Sequence, residues 1–134
     1  MAQFTRSTSV QSPEINPVII AGSFNRTSGN VITKLEGERF TVARTSTGLY
    51  TITLADSYSA LIYANANILA TAAVNTFCQI DTESVTTSTG GTIAINTFEI
   101  NESSGAADLL DFPHTTTDST ARLFFMLILR NSRL

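Results

Sequence analysis

Tyr50, Ile52 and Leu54 alternate with Leu49, Thr51 and Thr53 along one short run, and this two-residue period limits what the chain can fold into more than any other feature. Successive side chains of a strand point to opposite faces, so a run of this kind buries one face and turns the other to water. The pattern recurs. Val18, Ile20, Gly22 and Phe24 oppose Ile19, Ala21 and Ser23; Phe40 and Val42 oppose Thr41 and Ala43; Ile93, Ile95 and Thr97 oppose Ala94, Asn96 and Phe98. Val31 to Leu35 and Phe77 to Asp81 add two more short strands. Turn chemistry separates them: Asn25 to Asn30, Glu36-Gly37, Ser46-Thr47-Gly48, Ala55-Asp56-Ser57 and Ser84 to Gly91. The runs that begin at Phe40 and Leu49 are joined by a few residues containing Gly48, the spacing of a hairpin. Many short alternating strands with polar turns predict an all-β, antiparallel β-sandwich.

With 134 residues the chain has the size of one domain. Thr, Ser, Asn and β-branched residues abound and Lys34 is the single lysine, a composition suited to strands and polar turns. Ser59 to Phe77 fits less neatly. Leu61, Ala64, Ile68 and Ala72 recur at helical spacing, but Tyr63, Asn65 and Asn67 break any clean amphipathic face, which favours strand over helix. Asn101 to Thr120 reads as a long polar connection around Leu109, Leu110 and Phe112.

Residues 1–17 differ from the rest. Phe4, Val10 and Ile15 stand isolated among polar residues, and Ser12-Pro13 and Asn16-Pro17 each push the residue before proline toward extended conformations. This segment is expected to be an extended N-terminal arm, either without a fixed fold or ordered on a neighbour that its apolar residues anchor it to. Residues 18–134 are expected to form the sandwich.

The run Arg122 to Arg130 carries the main functional signal. Leu123, Phe125, Leu127 and Leu129 share one face; Phe124, Met126 and Ile128 share the other, bracketed in phase by Arg122 and Arg130. A strand of a two-layer sandwich has one face in the core, so the second apolar face needs a separate cover. Either a loop such as Asn101 to Thr120 folds over it, or a second copy does. The bracketing arginines favour the second copy and a position near a rim. Burying three such side chains removes on the order of a few hundred Å² from water, which at ~25 cal/mol per Å² stabilises association by several kcal/mol before its entropic cost.

Site chemistry is sparse. His114 is the only histidine, no Gly-x-Ser-x-Gly elbow accompanies it, and it reads as a loop residue in a chain that is not an enzyme. Asp108, Asp111 and Asp118 lack the spacing that aims several oxygens at one calcium ion, and Asp108 and Asp111 are expected instead to cap a turn that holds Leu109 and Leu110 inward. Cys78, the single cysteine, reads as a small buried residue. No metal and no cofactor is expected. The arginines are scattered and the net charge is -3, so no basic stripe is available for nucleic acid. The longest apolar run is too short for a membrane helix, and Met1 to Val10 lacks the apolar centre of a signal peptide. Synthesis and folding in a cytoplasm are expected.

Thr47-Gly48-Leu49-Tyr50-Thr51-Ile52-Thr53-Leu54, preceded by Phe40-Thr41-Val42-Ala43-Arg44 and followed by Asp108-Leu109 and Leu129-Arg130-Asn131-Ser132, resembles a pattern in small virion proteins of tailed bacteriophages. The similarity spans residues 18–134, and the Gly-x-Tyr-x-Ile strand also resembles one in trimeric jelly-roll domains of the complement-globular-head type. The resemblance implies a trimeric, jelly-roll-like sandwich on the outside of a phage head: a capsid decoration (cement) protein or a head-fibre base. The sandwich is not followed by a long fibre or a distal receptor domain, a departure that weakens the fibre options. In such a protein Phe4, Val10 and Ile15 would dock on the major capsid protein, and Phe124, Met126 and Ile128 with Arg122 and Arg130 would form the homotrimer contact. The alternative from another class is a receptor- or glycan-binding module of a tail fibre or tailspike, with Tyr50, Tyr58 and Tyr63 as its aromatic candidates.

Overall fold

The computed structural model describes residues 17–27, 29–70, 76–112 and 121–131. Among the described residues nine strands follow one another: β1 (Pro17–Arg26), β2 (Ile32–Glu36), β3 (Phe40–Ser46), β4 (Leu49–Leu54), β5 (Tyr58–Leu69), β6 (Phe77–Ser84), β7 (Thr92–Ile100), β8 (Ala107–Leu109) and β9 (Arg122–Asn131). They form two antiparallel sheets packed as a sandwich. Sheet I has the order β2-β1-β9-β5, and sheet II the order β3-β4-β7-β6, with β8 also paired to β7. This order is compatible with a jelly roll.

The period-2 alternation sets which side chains go inward. Ile20 and Phe24 of β1, Leu123, Phe125, Leu127 and Leu129 of β9, Tyr50, Ile52 and Leu54 of β4, and Ile93 and Ile95 of β7 are all buried in one core between the sheets. Gly22 lies inward in phase with them, and the Phe40 ring fills the space its missing side chain leaves, edge-on to Phe125 at 4.9 Å between ring centroids. At the other end of the core Phe24, Tyr50 and Phe112 form an aromatic trio with centroids 5.4–5.9 Å apart, tying sheet I to sheet II through a residue of the connection after β8.

That connection is fastened at several points. Thr97 Oγ1 donates to the Leu110 carbonyl at 2.6 Å, and the guanidinium of Arg26 donates to the Phe112 carbonyl at 2.8 Å. β8 continues the line of β4 along β7, since β4 pairs with residues up to Asn96 and β8 begins its pairing at Phe98. The amide of Thr97 donates to the Gly48 carbonyl in the gap between them.

Several expectations change here. Ser59 to Phe77 contributes strand at both ends, β5 and the start of β6, while 71–75 lie outside the described residues. Tyr58 is in β5 and buried, not in a turn. Leu109 and Leu110 point outward, 54% and 37% exposed; the residue held inward is Phe112, because the three-residue strand β8 puts Leu109 on the outer face beside Phe98. β9 is a central strand between β1 and β5, not near a rim. Arginines at the two ends of a strand mark where it leaves the sheet, which says nothing of whether it lies at a lateral edge. β1 begins at Pro17, which pairs with Arg130, one residue before the sandwich was expected to start, and residues 1–16 lie outside the described residues.

Candidate functional site

The outer face of sheet I is built around β9. Antiparallel pairing puts directly opposed residues on one face, so the outward residues of β9 line up with those of its neighbours in rows. Met126 sits between Ala21 of β1 and Asn65 of β5; Ile128 sits between Ile19 and Tyr63; Phe124 sits between Ser23 and Asn67. Ile19, Tyr63, Phe124 and Met126 are 63%, 45%, 40% and 39% exposed, and Ile128 is partly buried. Inward residues of the same strand, Leu123, Leu127 and Leu129, are fully buried. The strand therefore carries apolar side chains on both faces, and Phe124 and Met126 of the outer set are exposed.

Arg122 and Arg130 share that outer phase at the two ends of β9. The Arg122 guanidinium lies 5.6 Å from the Phe124 ring centroid, a distance at which the ring face attracts the cation. On β5, Asn67 Nδ2 donates to Asn65 Oδ1 at 2.9 Å and Asn65 Nδ2 donates to the Tyr63 hydroxyl at 3.0 Å. This polar ladder and the apolar pair Phe124 and Met126 border a shallow depression of about 310 Å³. Tyr63, Asn65 and Asn67 recur every second residue, so their common face was readable once the segment is taken as a strand.

Asp111 has a different task. Its carboxylate accepts from Arg44 Nε and a terminal guanidinium nitrogen, the latter at 2.8 Å, from the Gly48 amide at 2.9 Å and from the Tyr50 hydroxyl at 2.6 Å. Burial raises the carboxyl's pKa, but these donors outweigh it and hold the value down at about 2. Burial, and then the hydrogen bond to Asp111, push the Tyr50 phenol well above its ordinary range. The carboxylate thus latches the β3–β4 hairpin to the chain after β8. Asp108 accepts from Asn101 instead, so the two aspartates serve separate partners.

Cys78 is half-buried on the inner side of β6, and burial pushes its thiol up to about 11. Tyr50 is enclosed in the core and Tyr58 is buried, which leaves Tyr63 as the one exposed candidate among the three tyrosines. Phe4, Val10, Ile15, His114 and Asp118 lie outside the described residues.

No family model matches the chain, and no curated protein or solved structure does either. The face must therefore be read from its own chemistry. It combines a flat, exposed apolar centre, guanidinium groups at both ends of β9 and a polar ladder on β5, which suits contact with another macromolecular surface.

A second apolar cluster was not anticipated from the sequence. Phe77, Phe98 and Leu109 stand side by side on the outer face of sheet II, across β6, β7 and β8. Phe77 and Leu109 are 48% and 54% exposed, and the rings of Phe77 and Phe98 lie 5.9 Å apart. Each strand contributes only one or two residues to it, so no single run displays the pattern.

Proposed function

We propose that this chain is a non-enzymatic structural subunit that self-associates through the outer face of sheet I, and that it serves as a capsid decoration protein on a phage head. The observation that carries the reading is the exposure of Phe124 and Met126 in the middle of a sheet. Exposed apolar side chains at a sheet centre, rimmed by charge, are expensive to leave in water and mark an interaction surface. The resemblance to small virion proteins supplies the setting: a homotrimer on the capsid surface, bound to the major capsid protein.

In this reading Phe124, Met126 and Ile128 are the subunit contact, with Arg122 and Arg130 at its ends. Phe4, Val10 and Ile15 anchor the N-terminal arm on the shell protein. Removal of residues 1–16, which precede β1, should abolish binding to phage heads while leaving self-association intact, as read by co-sedimentation with heads and by light scattering. Undiminished head binding by the truncated protein rules out the arm's role.

One observation favours a second reading, a glycan-binding module of a tail fibre or tailspike. The exposed Tyr63 ring, with Asn65 and Asn67 in a hydrogen-bonded row beside it, offers an apolar ring face next to amide donors and acceptors, the pairing that sugar recognition uses. Reproducible glycan-array binding that is lost on Tyr63→Ala favours this reading over self-association.

A further inference from the structure

Resting on the glycan-binding reading above, we infer that the depression between β9 and β5 holds an acidic saccharide, its ring against Tyr63 and its carboxylate on Arg122. Strand register decides which side chains can share such a ligand. Tyr63, Asn65, Asn67 and Leu69 of β5 lie opposite Ile128, Met126, Phe124 and Arg122 of β9, all on the outer face of sheet I. The depression, about 310 Å³, is bordered by Tyr63, Asn65, Asn67, Phe124 and Met126, a volume at the small end of the range for small-ligand sites. Arg122 stands one row further along, with its guanidinium 5.6 Å from the Phe124 ring centroid.

Two observations select this class of ligand. The first is the amide row. Asn67 donates one N–H to Asn65, and Asn65 donates one to the Tyr63 hydroxyl. Each amide keeps a second N–H, Asn67 keeps its carbonyl oxygen as an acceptor, and the Tyr63 hydroxyl keeps its proton as a donor. Sugar hydroxyls both donate and accept, so a row that presents both roles beside an exposed ring fits a saccharide. An apolar protein surface laid over the row would strip these groups of water and return no hydrogen bond.

The second observation is charge. β1, β5 and β9 contain no Asp or Glu. The ion pairs among the described residues, Arg39 with Asp56 and Arg44 with Asp111, leave Arg122 out, and its Nε is buried with no acceptor. Glu36, the acid of sheet I, stands on the edge strand β2 at the far side of the row Glu36, Ser23, Phe124, Asn67. Two strand spacings and two residues separate it from Arg122, about 12 Å between Cα atoms, where salt screens most of the attraction between exposed charges. A planar guanidinium without an acid at hand takes a carboxylate as a bidentate pair, and a neutral sugar has no carboxylate to offer.

A glycan array carrying uronate- and sialate-bearing oligosaccharides beside their neutral counterparts tests this on the full chain. Wild type should bind acidic members and pass over the neutral ones. Tyr63→Ala should abolish that binding, and Arg122→Gln should weaken it by about tenfold or more, the contribution of one charged hydrogen bond. In a titration of wild type, affinity for the strongest acidic hit should also fall as salt is added, a readout that stands when Arg122→Gln folds poorly by circular dichroism. Equal binding of neutral and acidic members, or affinity unmoved by salt, overturns the acidic ligand while leaving a glycan site at Tyr63 standing. Acidic binding that survives Tyr63→Ala overturns the placement in this depression. An array without hits of either class removes the glycan reading, and this inference with it.

Discussion

Asp111 accepts from four donor groups that belong to β3, the β3–β4 turn and β4, so one carboxylate fixes the hairpin against the segment that carries Phe112. Its side chain is only 12% exposed and that of Arg44 is 19% exposed; losing the acid would leave a partly buried guanidinium and a buried phenol without their acceptor. Asp111→Ala should lower stability by on the order of 2–4 kcal/mol in urea denaturation. The pH dependence follows from a folded value of about 2, below the ~3.9 of an unfolded aspartate. The stabilisation is complete above the unfolded value and is lost as pH falls through ~4 toward the folded value. The wild-type urea midpoint should therefore decline across that acid window, and Asp111→Asn, which starts lower, should decline less. Gly48 serves the same latch: its φ of 70° and an amide aimed at Asp111 suit glycine. Gly22 is fixed by close approach, since a side-chain carbon there would come within 2.8 Å of both the Glu36 carbonyl oxygen and the Phe40 ring. Gly22→Ala should cost about 1–3 kcal/mol by overpacking, measured by chemical denaturation.

At the scale of elements, β9 shows how much one residue of register decides. Leu127 is fully enclosed, whereas its neighbour Met126 is 39% exposed. Leu127→Ala should cost about 2–5 kcal/mol in folding stability, and Met126→Asp should leave the unfolding midpoint nearly unchanged while abolishing association; thermal unfolding beside light scattering separates the two. The two-faced character of β9 was legible because seven consecutive apolar residues, Leu123 to Leu129, cannot all face one core. The alternating strands β1, β4 and β7 were legible for the related reason that period 2 has no helical counterpart. β5 was harder. Its alanines and its Leu61, Ala64 and Ile68 spacing imitate a helix, and it is the bulges at Tyr58/Ala60 and Leu61/Tyr63 that disturb the two-residue period there. The Asp111 latch and the Phe77, Phe98 and Leu109 cluster were not legible. Both are made by residues far apart in sequence that only the strand order brings together, and a single acid or a single phenylalanine carries no periodic signal.

For the molecule as a whole, the two sheets bury one continuous core and leave apolar side chains on both outer faces. A subunit with these properties is suited to lying against other copies. In the proposed reading the outer face of sheet I is an interface between subunits. Sedimentation velocity on the full chain, wild type beside Met126→Asp over a concentration series, tests it most directly. Wild type should sediment as an oligomer and Met126→Asp as a folded monomer; a wild-type chain that remains monomeric up to its highest soluble concentration contradicts the claim.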